Sequence, residues 1–397
     1  MSEITMFRTI HTRYRVAIVL VGLVLGAIGC SDEPTVTNSV GSDLVKTAIS
    51  VHDTTVGAIA DSTFKQPLPM DGLYNLVGRF GGYTAYTTMQ FGVPVRDTIS
   101  VLNARVRLRA ITWFGDSSSA VRFTLHRIIG AWTQPALQWD SVDASFYDPT
   151  PIGTYEGSVV ADTQEVFITI DDTAEVKRWF STNNDPPKYG FILIPDQSMN
   201  VVRGFYSFTF SADTSSTYPT LIIDALGPSG VRDTAEYNFG SDTFVGNIDN
   251  LDADPTLIYA QAGVVYRSTL MFDLGFIPRG AIINSAEMLL TLDRATTRLS
   301  KVTVDSAVAA HAVSSPTDVR VIESSSVLGR RKADFASTYS FDLRRATQLW
   351  ANGRNYGIVL RVPTVQEFSS FDVFTFFTQN AADSLRPRLK VLYTITK

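Results

Sequence analysis

From about residue 46 onward the chain carries short runs in which every second side chain is apolar, and turn residues interrupt those runs roughly every eight to twelve positions. A period of two is the repeat of an extended strand, whose successive side chains face opposite sides of a sheet. In Arg105-Val106-Arg107-Leu108-Arg109-Ala110, the residues Val106, Leu108 and Ala110 share one face and the three arginines share the other. Arg122-Phe123-Thr124-Leu125-His126 repeats the pattern. A chain built of such runs has to bury one face of each, which points to an antiparallel sandwich or barrel. Only two segments read as helical, and both are short. Asp172–Phe180 begins with a capping aspartate and places Val176, Trp179 and Phe180 along one side. Asp342–Trp350 does the same with Leu343, Ala346, Leu349 and Trp350, and Gly353 follows as a stop.

The two helices are corresponding parts of an internal repeat. Thr88-Met89-Gln90-Phe91 matches Thr269-Leu270-Met271-Phe272, and Leu102–Leu108 matches Ile283–Leu290 with a one-residue slip. After the helices, Tyr189-Gly190-Phe191-Ile192-Leu193 matches Tyr356-Gly357-Ile358-Val359-Leu360; near the ends, Tyr218-Pro219-Thr220-Leu221 matches Arg386-Pro387-Arg388-Leu389. The order is the same in both copies. The expected architecture is therefore all-β: two tandem antiparallel jelly-roll sandwiches, each with one short helix. They would span 46–226 and 231–397, with Gly227-Pro228-Ser229-Gly230 as the hinge.

The first 29 residues have a different character. Arg8, Arg13 and Arg15 precede an uncharged stretch, Val16 to Gly29, and Cys30 follows it. At about 1.5 Å per residue those 14 positions reach roughly 21 Å as a helix, short of the ~30 Å hydrocarbon core of a bilayer. A removable signal fits that length better than a spanning anchor. Ala27 and Gly29 before the only cysteine resemble a bacterial lipobox, with Ala27 standing where that motif usually has leucine. The resemblance implies a lipoprotein signal peptide over 1–29 and acylation of Cys30, whose acyl chains would hold the protein at a membrane. An ordinary secretory signal followed by a chance cysteine is the alternative. Residues 30–45 are polar and aperiodic, as a flexible tether would be, and Ser31 resembles the outer-membrane sorting class of such lipoproteins.

The segment Ser268–Ala286 resembles the DNRLRE domain, a secreted jelly-roll module related to carbohydrate-binding modules. His126-Arg127-Ile128-Ile129-Gly130-Ala131-Trp132-Thr133-Gln134-Pro135-Ala136-Leu137-Gln138-Trp139 is similar to that family's tryptophan-containing segment, and the shared elements cover most of both copies. His311-Ala312-Val313-Ser314-Ser315-Pro316 in the second copy has neither tryptophan. The resemblance implies a polysaccharide ligand, and relatives that take uronic-acid polymers such as alginate make an anionic glycan the natural expectation.

Several chemistries are disfavoured by composition. A formal net charge of -5 and a pI near 5.5 leave no broad polyanion-binding surface, so no nucleic-acid partner is expected. One cysteine and four histidines supply little for metal centres or imidazole catalysis. No phosphate loop, nucleophile elbow or HExxH occurs, no cofactor is expected, and the chain reads as a non-enzyme.

The candidate glycan-binding residues are Arg105, Arg107 and Arg109 on one strand face, Arg122 and His126 if a neighbouring strand faces the same way, and the aromatic platforms Trp132 and Trp139. The second copy places Glu287, Leu289 and Thr291 where the first has its arginines. Against this stand the ordinary roles of solvated charge on an outer face and of tryptophan in packing. Trp179 and Trp350, paired across the repeats, read as packing residues. Asn247–Asp254 gathers oxygen donors but lacks the glycine and glutamate of a calcium loop, and reads as an acidic turn. The expected function is a surface-anchored, polysaccharide-binding outer-membrane lipoprotein. A structural or adhesion protein of the envelope, using the sandwiches as spacers or to bind envelope proteins, is the alternative.

Overall fold

The computed structural model describes residues 49–396 except 67, 69, 71–72, 160–162, 210–216, 249–253, 300–306 and 333–336. The signal segment, Cys30, the tether and most of the Asn247–Asp254 loop lie outside the described residues. Val51–Thr394 forms one compact unit. Of the other, which takes in 1–50 and 395–397, only the strand ends at Ile49, Ser50, Ile395 and Thr396 are described.

The fold is all-β. The first repeat contributes β1 (Ile49–Lys65), β2 (Tyr74–Phe80), β3 (Tyr83–Phe91), β4 (Ser100–Gly115), β5 (Val121–Ile128), β6 (Tyr147–Gly157) and β7 (Glu165–Ile170). Helix α1 (Thr173–Trp179) then leads to β8 (Phe191–Pro195), β9 (Val201–Tyr206) and β10 (Thr220–Leu226). The second repeat follows with β11 (Arg232–Tyr237), β12 (Gly240–Ile248), β13 (Leu257–Gln261), β14 (Tyr266–Phe272), β15 (Ile282–Thr291), β16 (Val308–Val313), β17 (Ile322–Arg331) and β18 (Thr338–Asp342). Helix α2 (Arg344–Ala351), β19 (Ile358–Arg361), a single turn α3 (Thr364–Glu367), β20 (Val373–Phe377) and β21 (Arg388–Thr396) complete it.

These strands form two closed antiparallel sandwiches. One runs β11-β10-β4-β7-β6-β5-β8-β3-β2-β9, with β9 returning to β4 and β12 lying along β3. The other runs β1-β21-β15-β18-β17-β16-β19-β14-β13-β20, with β1 also pairing β14. Alternation behaves as expected on β4, where Ala104, Val106, Leu108 and Ala110 are buried while Arg105 is exposed and Arg107 and Arg109 lie at intermediate depth. Those apolar residues meet Phe123 and Leu125 of β5, Ile168 of β7 and Phe191 and Leu193 of β8 in the first core. Each fully buried Val, Leu, Ile or Phe side chain among them is worth about 1.5–3 kcal/mol.

Both helices form where the 3.6-residue spacing places them. Asp172 Oδ1 accepts from Glu175 N at 3.0 Å and caps α1. At α2 the capping position is Leu343, while Asp342 ends β18 and accepts from Arg344 N at 3.0 Å. The segment 227–230, expected as a hinge, instead closes a tight hairpin. Gly227 N donates to Val231 O at 2.9 Å, and β11 returns along β10 with Leu226 opposite Arg232. Glycine and proline punctuate hinges and turns alike, so their composition does not distinguish the two. The sandwiches consequently do not coincide with the segments 46–226 and 231–397: β1 lies in the second, β11 and β12 in the first.

An aromatic cleft beside the post-helix loop

The expected arginine face exists on the outer side of β4, and its central member, Arg107, is paired with carboxylates. Arg107 Nη2 donates to Thr220 Oγ1 at 3.1 Å and to Glu236 Oε2 at 3.4 Å, and its Nε lies 4.0 Å from Glu165 Oε1. The Arg105 guanidinium sits 5.1 Å from the centre of the Phe167 ring. Asp224 holds Arg232 at 3.3 Å and accepts from Thr234 Oγ1, the bond that does most to keep its carboxyl below the usual range. Arg109 Nε is buried and makes no hydrogen bond. Carboxylates from β7, β10 and β11 thus interleave with the arginines, an arrangement the sequence pattern of β4 alone could not reveal.

Arg122 and His126 do not join that face. They sit on β5, whose ladder partners are β6 and β8, so no strand pairing places them beside β4. Arg122 is exposed and pairs with Glu156. His126 is 7% exposed, with Nδ1 2.9 Å from Asp148 O and Nε2 2.8 Å from Thr124 Oγ1. Both ring nitrogens are committed within the fold. His311 occupies the matching place on β16, its Nδ1 2.9 Å from Glu323 O.

The two tryptophans have separate roles. Trp139 packs in a satellite core, its ring 4.9 Å from that of Tyr86, and borders only a small cavity of about 30 Å³ apart from the Trp132 cleft. Trp132 is half-buried and lines a cleft of about 610 Å³ together with Phe91, Trp179, Tyr189, Asn184 and Lys188. That volume falls in the range of ligand sites, ~300–1,000 Å³. Three elements build it: the end of β3, the loop after β5 that carries Trp132, and the segment 181–189 between α1 and β8.

The 181–189 segment is held at several points. Gln90 Nε2 donates to Lys188 O and Trp132 Nε1 to Tyr189 O, each at 2.7 Å. Asp97 accepts from Thr182 N at 2.7 Å and from Thr182 Oγ1 at 3.1 Å; the backbone bond leads the causes that hold its carboxyl below the ordinary value. Arg178 is bidentate to the buried Glu175, at 2.8 and 2.6 Å, and donates to Pro186 O; Glu175 also takes the Trp179 indole N–H at 2.9 Å. Lys188 Nζ donates to Ser181 O. Fixed aromatic walls with a few polar groups at the rim suit a ligand that is flat and apolar on one side and hydroxylated at its edge.

Sequence reasoning found Trp132 and missed its companions. Trp179 reads as packing because it repeats as Trp350, and it does pack, its ring 5.9 Å from that of Phe191. The polar stretch Ser181–Lys188, with two prolines between a helix and a strand, was the available signal. The second sandwich has no counterpart of Trp132, since Ser314 and Ser315 stand in that region.

Among the described residues no group of three or more His, Cys, Asp or Glu is placed to hold a metal ion, and no helix is long and apolar enough to cross a membrane. Comparison with protein families finds no match, and comparison with curated proteins finds none. Among solved structures, one of the Macrobrachium rosenbergii nodavirus aligns over 89% of this chain and 91% of its own at 10% identity, with a TM-score of 0.11. A score that low carries no argument about fold or function.

Proposed function

We propose that the protein is a surface-anchored outer-membrane lipoprotein whose folded part is a non-catalytic polysaccharide-binding body, with the Trp132 cleft as its site. The observation that carries this reading is the pre-organised cleft itself: aromatic side chains line it, and a loop tied down by Asp97, Gln90 and Arg178 borders it. Sugar rings present apolar faces to aromatic platforms and hydroxyls to groups such as Asn184 and Lys188. An anionic, uronic-acid polymer is the preferred class, because Lys188 brings an ammonium with further donors to the cleft. The DNRLRE resemblance supports the same class. The outer arginine face is the secondary candidate, since Arg107 at its centre is already paired with Glu165 and Glu236.

Affinity electrophoresis through gels containing neutral or uronic-acid polysaccharides tests the reading. Retardation by one polymer is expected, and Trp132→Ala should weaken it about tenfold or more, since a lost aromatic contact is worth on the order of 1.4 kcal/mol or above. Replacing Arg105, Arg107 and Arg109 together by Ser should change it little. If the triple variant loses binding and Trp132→Ala does not, the site is the arginine face. No retardation by any polymer would move the protein to the spacer or adhesion reading, with envelope proteins as partners. The anchor has its own check: Cys30→Ala should leave the detergent-phase membrane fraction, and its retention there would refute lipidation.

A further inference from the structure

Apart from the β9–β4 pairing, the strand pairings of the first sandwich recur in the second, and the main difference is the origin of what fills one slot. β10–β4, β4–β7, β5–β8, β3–β8 and β2–β9 in the first correspond to β21–β15, β15–β18, β16–β19, β14–β19 and β13–β20 in the second. In the second sandwich the slot along β21 and β14 holds β1, from the first repeat. In the first, the equivalent slot along β10 and β3 holds β11 and β12, from the second repeat.

Register and side-chain chemistry show that these slots are the same. Asp61 of β1 lies opposite Leu270, and Asp242 of β12 lies opposite Met89, which are matching residues of the repeat. Asp61 Oδ2 accepts from Gln379 N at 2.9 Å just beyond β20; Asp242 Oδ2 accepts from Phe208 N at 2.9 Å just beyond β9. Each aspartate closes the same backbone group, but in the sandwich of the other repeat.

We infer that the two repeats have reciprocally exchanged their first strands within one chain, so that each sandwich is clasped by a strand of the other. The hairpin at 227–230 supplies the reason. So short a reversal commits β11 to β10, its immediate predecessor, and fills the slot that β1 would have taken. β1 is left to the one equivalent opening. Its exit is tied there as well, with Gln66 N donating to Val265 O at 2.9 Å and Gln66 Oε1 accepting from Arg267 Nη1 at 2.6 Å.

Paired cysteines in the full chain, made in a Cys30→Ser background with a protease site inserted between Ser229 and Gly230, test the exchange. Ser62 Oγ and Thr269 Oγ1 are 2.8 Å apart across the β1–β14 ladder, so Ser62→Cys/Thr269→Cys is placed to form a disulfide. After oxidation and cleavage, this pair should hold the two fragments together on a non-reducing denaturing gel and release them on reduction. Ser62→Cys/Thr88→Cys, the pair that an unexchanged fold would join, lies wholly within the first fragment, so it is read by alkylation under denaturing conditions without reductant: both thiols should stay free and take up the label. Two outcomes overturn the inference: a Ser62→Cys/Thr88→Cys bond in properly folded protein, with the first pair unlinked, or a first-pair product of dimer size, which would put the exchange between copies.

Discussion

Gly190 and Gly357 stand at matching places in the repeats with φ of +83° and +84°, and a Cβ on either would come within 2.0 Å of Met89 O or 2.7 Å of Leu270 O. Gly190→Ala should therefore combine backbone strain with a collision in the β3–β8 ladder and cost more than about 2 kcal/mol. Gly353 also has a positive φ, +96°, but open space around it, so Gly353→Ala should cost only about 1 kcal/mol. Urea midpoints of the two variants check the contrast. His311 offers a pH probe. Burial, opposed by its bond to Glu323 O and reinforced by Arg361 and Arg267, with Glu367 pulling the other way, holds its imidazole below the ordinary value of 6.5. The unfolded chain then binds the proton more readily, so stability present above that value is lost as pH falls towards the folded one. Between about pH 7.5 and 5.5 the wild type should lose more stability than His311→Gln; equal losses would refute the assignment.

The helix α1 was legible as soon as its spacing was read, because an aspartate cap and an i, i+3, i+4 apolar stripe are local properties. Asp172→Ala should cost about 1 kcal/mol by loss of the bond to Glu175 N, and should weaken any ligand of the cleft, which Trp179 lines from the end of that helix. Calorimetry and binding on the same variant test both effects. The turn α3 was not legible, since four residues hold too little pattern. Its role is to bring Glu367, fully buried, between Arg267 of β14 and Arg361 of β19; Arg267 meets it through two bonds of 2.9 Å. Glu367→Ala should destabilise by about 3–5 kcal/mol, because two buried guanidinium groups lose the carboxylate they share. A chemical-denaturation shift of under about 1 kcal/mol would show the cluster to be relaxed by water.

Taken whole, Val51–Thr394 should unfold as one body. A core shared by both repeats forms around Phe371, which is 1% exposed, with its ring 4.3 Å from Tyr83, 5.8 Å from Phe244 and 5.9 Å from Phe114. Tyr83, buried beside it, has its phenol pushed well above the ordinary value by loss of solvent, with Asp372 adding to the shift. Thermal melts followed by far-UV and near-UV circular dichroism should coincide in one transition. Phe371→Ala should move that single transition down by the equivalent of about 3–5 kcal/mol. Two separated transitions in the wild type would mean that the shared core and the exchanged strands couple the sandwiches weakly.

The sequence by itself determined that the chain is built of strands, which face of β4 and of β5 is buried, that the elements recur twice in one order, and that α1 and α2 lie at matching places in the two copies. All of these follow from the dihedral period and the polarity of neighbouring residues, which act over a few positions. Only the tertiary structure decided that β1 completes the second sandwich, that carboxylates from other strands pair with Arg107 of β4, and that Trp132 meets Trp179 and the 181–189 loop across a cleft. Ladder hydrogen bonds join backbone groups that are alike in every residue, so a strand's pattern says which way it faces but not which partner it takes.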